Sequence, residues 1–150
     1  MSEIIEDIRV RLARFPQARL EQNAVSIACL PAAPDGFTVR LTVRKEVMQE
    51  WYSVYFNDAL YEQGTYRQAA MTTFFLGLST GCRLREYSRS GQIYRQVIEL
   101  WQREQQQWLA DRELIGWSVA HLQFWRHPQI RCLQNRLIEP DERGPVPPIR

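Results

Sequence analysis

An α+β fold is what this sequence predicts: an antiparallel sheet of five or more strands, covered by an N-terminal amphipathic helix and a central buried helix. Three stretches carry the prediction. Thr65 to Gly81 is apolar round its whole circumference, with Tyr66, Ala69, Ala70, Met71, Phe74, Phe75, Leu76 and Leu78 on all sides, and a helix of that kind needs cover on most sides. Phe37 to Arg44 alternates apolar and polar residues without a fault, the pattern of a half-buried strand. Residues 3 to 15 repeat Ile4, Ile5, Ile8, Leu12 and Phe15 at helical spacing.

In chain order, the first helix carries Glu3, Glu6 and Asp7 near its positive end and Arg11 and Arg14 near its negative end, and Pro16 stops it. The acidic first turn sets it against an anionic lipid surface, so its stripe is expected to lie on a sheet. Strands are expected at Ala24–Leu30, Phe37–Arg44 and Trp51–Phe56, with a Pro31-to-Gly36 turn between the first two. The central helix is expected to start at a Thr65/Gln68 capping box and to close on a left-handed Gly81. A β-hairpin follows, Cys82 to Tyr87 and Gln92 onward, turning through Ser88–Gly91 with Gly91 at positive φ.

Two readings compete beyond Ile93. Ile93, Val97, Trp101, Glu104 and Trp108 share a helical face, yet Ile93–Arg95–Val97–Glu99–Trp101 also alternates. Two strands joined by a polar Gln102–Gln107 loop are preferred, against the helix propensity of the composition. Leu114 to Trp125 is equally divided. Pro128 breaks the chain, and Ile130 to Ile138 resumes as a short element. Residues 1–138 read as one domain, and 139–150, with four prolines, as a flexible tail whose P-x-x-P-x-Arg ending is a peptide-ligand pattern.

The run Gly77-Leu78-Ser79-Thr80-Gly81-Cys82-Arg83-Leu84 resembles a segment of a family of small uncharacterised bacterial proteins with no assigned function. The Pro34-Asp35-Gly36-Phe37-Thr38-Val39 and Leu133-Gln134-Asn135-Arg136-Leu137 runs share that resemblance, which spans about residues 24–138. It implies no activity and transfers no catalytic residue. It also favours strands over 93–110.

Composition narrows the functional classes. The 150 residues are 45% hydrophobic and 24% charged with a net charge of +2, so bulk electrostatics give little pull toward nucleic acid or membranes. Lys45 stands alone beside eighteen arginines. Cys29, Cys82 and Cys132 are odd in number and far apart, which predicts reduced thiols and a cytoplasmic setting. The acidic, helical N-terminus does not read as a secretory signal, and no apolar run approaches a membrane span. Cys82, just past a helix C-terminus, reads as a packed thiol. His121 and His127 lie six apart, off the spacing that stacks ligands on one helix face, so no metal or other cofactor is expected. No nucleophile elbow, phosphate loop or other catalytic motif is present.

What remains is surface chemistry. Arg83, Arg85, Arg89 and Arg95 flank the second hairpin, with Tyr87 and Tyr94 among them; a solvated strand face competes with this reading, because Glu86 and Glu99 are close. Five tryptophans, Trp51, Trp101, Trp108, Trp117 and Trp125, are read first as core filling, then as a partner surface, then as pocket walls. Sequence therefore names no activity. The leading expectation is a non-enzymatic accessory or adaptor protein that docks onto another protein, or onto itself, through Arg83, Arg85, Arg89, Arg95 and the Trp125-Arg126-His127 turn. One alternative is a small-molecule binder, an enzyme of unrecognised type included, with an aromatic-lined cavity against helix 65–80. The less favoured alternative is single-stranded nucleic-acid binding through the arginine hairpin.

Overall fold

In a computed structural model, residues 2–116, 123 and 125–139 are described. Their mixed α+β architecture has two helices and two antiparallel sheets, of five and four strands. Helix α1 (Glu3–Leu12) leads into β1 (Arg19–Gln22), β2 (Ser26–Leu30), β3 (Val39–Glu46), β4 (Gln49–Phe56) and β5 (Ala59–Gly64). These five strands lie side by side in chain order. Helix α2 (Arg67–Leu78) then connects to β6 (Cys82–Arg89), β7 (Gln92–Gln102), β8 (Gln107–Ile115) and β9 (Gln129–Leu133), arranged β8-β7-β6-β9.

The β7–β8 hairpin resolves the competition between helix and strand over 93–110 in favour of two strands, with the polar loop where it was expected. At the preceding turn Ser90 and Gly91 both have positive φ, 53° and 77°, which suits a two-residue hairpin loop. β1 and β5 are additions to the expected set; β1 is a short, mostly exposed edge strand. Val25 is exposed and the strand that follows is buried on both faces, so β2 is an interior strand rather than an alternating one. Residues 117–122 and 124, within the divided 114–125 segment, and the tail from 140 lie outside the described residues.

Both ends of α2 depart from expectation: neither Thr65 nor a left-handed Gly81 closes them. No side chain caps the start, where Tyr66, not Thr65, occupies the cap position, and Tyr66 is exposed. Arg67 in the first turn instead ion-pairs with Asp7 of α1. At the far end Gly81 is not left-handed. Ser79 Oγ donates to the Leu76 carbonyl (2.8 Å) and accepts from Gly81 N–H (3.2 Å), while Leu137 and Ile138 both donate to the Leu78 carbonyl (3.2 Å). Of the carbonyls a helix leaves orphaned, Leu76 is thus capped by Ser79 and Leu78 by the C-terminal segment.

The buried cluster joins Ile4, Ile5 and Ile8 of α1, Phe74 and Leu78 of α2, and inward residues of β2–β5 to Leu84, Ile98 and Leu133 of the four-stranded sheet. α2 packs against β3, β4, β5, β6 and α1, while α1 packs against β2 and α2. The chain segments at 34–39, 77–84 and 133–137 meet around one buried side chain. Asn135 Oδ1 accepts from Phe37 N–H (3.1 Å), and its Nδ2 donates to the carbonyls of Phe37 and Gly77 (both 2.9 Å). A Cβ on Gly36 would sit 2.7 Å from Asn135 Oδ1, so glycine is required there by close approach. Among the described residues no helix is long and apolar enough to cross a membrane.

Candidate functional site: the outer face of the four-stranded sheet

Strand alternation divides β6 into two faces. Cys82, Leu84 and Glu86 turn inward, while Arg83, Arg85, Tyr87 and Arg89 turn outward. Register extends the outer face across the sheet. Arg83 lies opposite Glu99, Arg85 opposite Val97 and Tyr87 opposite Arg95. A bulge between Tyr87 and Ser88 inserts Tyr94 on the β7 side and brings its ring 6.5 Å from Tyr87.

Each sequence-predicted arginine is held on this face by an aromatic ring, a carboxylate, or both. Arg83 Nε donates to Glu99 Oε1 (2.9 Å), and its guanidinium stacks over Trp108 at 4.3 Å. Arg85 Nε lies 3.2 Å from the same oxygen, without hydrogen-bond geometry. Glu99 is only 9% exposed, so the two arginines bracket a nearly buried carboxylate. Arg95 pairs with Glu113 and covers Tyr87 at 4.7 Å; Arg89 covers Tyr94 at 4.6 Å. Stacking of this kind presents guanidinium groups in fixed orientations.

The second predicted patch joins the first. Arg89 Nε donates to the Arg126 carbonyl (3.1 Å), and Arg126 Nη1 donates to Ser90 Oγ (2.8 Å). Ser90 Oγ in turn donates to Gln123 Oε1 (2.9 Å). Trp125, Arg126 and His127 are all exposed, so the hairpin tip and this turn form one surface. One rung crosses the sheet here: Ile115 on β8, Arg95 on β7, Tyr87 on β6 and Ile130 on β9 are in register. Its ends are open, Ile115 being 63% exposed and Ile130 55%. Sequence reasoning missed both isoleucines, although each is an apolar residue at the outward phase of its strand.

The tryptophans correct the core-filling expectation: none of the four described is in the buried core. Trp101 and Trp108 pair edge-to-face at 5.6 Å on the outer face. Trp51 lies beside Arg44 and donates its indole N–H to Glu46 (3.1 Å), while Trp125 is 66% exposed. Trp117 and His121 lie outside the described residues. The cleft of about 240 Å³ bordering α2 is lined by Tyr52, Glu62 and Tyr66 among others, with no tryptophan.

Reactive chemistry is quiet by contrast. Cys29 and Cys82 are buried, Cys132 is exposed, and all three are free thiols. Burial pushes the Cys29 thiol up to about 11 and drives Cys82 higher still, helped there by Asp111, so neither favours a thiolate. Burial, followed by the hydrogen bond to Asp111, also raises Tyr61 well above the usual phenol range. No cluster of three metal-ligating side chains occurs among the described residues. Comparison with known protein families, characterised proteins and solved structures finds no match to this chain.

Proposed function

We propose that this protein is a non-enzymatic docking module whose outer sheet face, with the hairpin tip, binds an acidic segment of another protein. The observation that carries this reading is the in-register rung Ile115–Arg95–Tyr87–Ile130. Open apolar ends flank a stacked arginine–tyrosine centre, the residue types that dominate binding energy at protein interfaces. Five arginines (Arg83, Arg85, Arg89, Arg95 and Arg126) face two glutamates (Glu99 and Glu113), which favours an acidic partner.

On this reading the two helices back the five-stranded sheet and leave the outer face of the second sheet for contact. The contacts of α2 with β3, β4 and β5, and of α1 with β2, support that division. Three free thiols support a reducing, cytoplasmic setting. The test is affinity capture from native lysate by wild type and by a folded Arg89→Glu/Arg95→Glu variant, with light scattering to detect self-association. The reading expects a protein, or a second copy, that wild type retains and the variant loses. Equal retention by both, or a strict monomer that retains nothing, refutes it.

A further inference from the structure

We infer that a second, separate site binds a small zwitterion of the α-amino-acid type in the polar cleft between the two sheets. The cleft, about 490 Å³, lies in the size range of small-molecule sites. It opens where the inner face of the four-stranded sheet changes character. One inward rung holds Ile98, Leu84 and Leu133, all buried and apolar, with exposed Arg112 only at its β8 end; the next is Leu114–Gln96–Glu86–Arg131. Glu86 thus continues the inward phase of Cys82 and Leu84 but places a carboxylate, 5% exposed, at the cleft floor.

That carboxylate is held without a cation. Oε2 accepts from Gln96 Nε2 (2.9 Å) and Asn57 Nδ2 (3.4 Å), and among the described residues no arginine or lysine pairs with Glu86. Buried glutamates are seldom left with neutral partners alone, because amide donors offset only part of the desolvation cost. Asn57 is itself aimed by a left-handed backbone (φ 51°), anchored by N–H to the Thr38 carbonyl (2.7 Å) and by Oδ1 to Thr38 N–H (3.0 Å).

The cleft walls add Arg40 from β3, Asp58 from the β4–β5 turn and Arg131 from β9. Among the described residues the Arg40 side chain makes no hydrogen bond or ion pair, while its backbone is held in the ladders with β2 and β4. Arg131 spends one donor on the Pro34 carbonyl (3.1 Å) and keeps the rest of its guanidinium fork. Two guanidiniums and two carboxylates balance, which disfavours both a phosphate and a bare polyamine. A ligand carrying both charges satisfies both: its ammonium meets Glu86 and Asp58, and its carboxylate meets Arg40 and Arg131.

Isothermal titration calorimetry of the full chain tests this with the common L-amino acids, and with acetate, ethylammonium and inorganic phosphate as single-charge controls. The expected result is saturable heat with at least one L-amino acid and with none of the controls, weakened about tenfold or more in Kd by Arg40→Gln and by Glu86→Gln. Arg40 is only partly buried, so its variant decides the matter should Glu86→Gln fail to fold by circular dichroism. No saturable heat for any L-amino acid up to about 10 mM, unchanged affinity in Arg40→Gln or in a folded Glu86→Gln, or saturable binding of any control overturns the inference.

Discussion

Replacing Asn135 by alanine removes three buried hydrogen bonds at once, those to Phe37 N–H, the Phe37 carbonyl and the Gly77 carbonyl. The loss falls on partners that water does not reach. Each stranded buried backbone group costs about 1–3 kcal/mol. Partial relaxation and water entry trim that sum, giving an expected loss of about 3–6 kcal/mol. Against a typical total of about 5–15 kcal/mol, the variant stays folded at low temperature but becomes marginal. Gln134→Ala is the matched control, because it removes one partly buried bond, to the Thr80 carbonyl (2.7 Å), and costs about 1 kcal/mol. Urea denaturation followed by circular dichroism reads both, with the slope in urea checking that the unfolded reference is unchanged. A loss below about 1 kcal/mol for Asn135→Ala would show that the three segments are held by packing alone.

Gly77→Ala tests the closeness of α2 to the sheet. A helix-interior glycine changed to alanine ordinarily stabilises by about 1 kcal/mol, but here the new Cβ would lie 2.5 Å from Phe56 Cε1, so a lowered melting temperature is expected, and a raised one refutes the packing. Alkaline pH should also destabilise the fold. The buried Cys29 thiol is raised from 9.0 to about 11, so the folded state holds its proton more tightly than the unfolded chain does. Its contribution is complete below pH 9 and is lost as pH rises through about 11, amounting to about 2–3 kcal/mol. Cys82 and Tyr61 act in the same direction, so the readout is the difference between wild type and Cys29→Ala in urea-derived stability at pH 8 and pH 11. Equal pH dependence in the two proteins contradicts the assignment.

Local signals carried far in this sequence, and nonlocal ones did not. The hairpin from Cys82 to Gln102 was readable because the Ser90-Gly91 turn and the alternation on either side are short-range properties. The ends of α2 were not: no side chain caps the start, and at the far end Ser79 with the distant Leu137 and Ile138 amides takes the place of a left-handed Gly81. β1 escaped because a short, mostly exposed edge strand has no apolar rhythm. Strand phase alone places Arg83, Arg85 and Tyr87 on one face, as the alternation of β6 has them. The tryptophans were misplaced because size argues for burial, whereas phase argues otherwise: Trp101 shares the outward phase of Glu99, and Leu100 takes the inward one. Phase would also have exposed Glu86, the one charged residue in the inward series of β6.

The docking proposal meets its most direct test in site-specific photo-crosslinking from the rung itself. Ile130, exposed at the rung's end, is replaced by a benzoyl-phenylalanine probe, with a second probe at exposed Val47 on the β3–β4 turn as the off-face control. The account predicts one discrete adduct in native lysate from the Ile130 probe, absent from the Val47 probe and abolished by Arg89→Glu/Arg95→Glu. The same adduct from both probes, or one indifferent to the charge reversal, would contradict it.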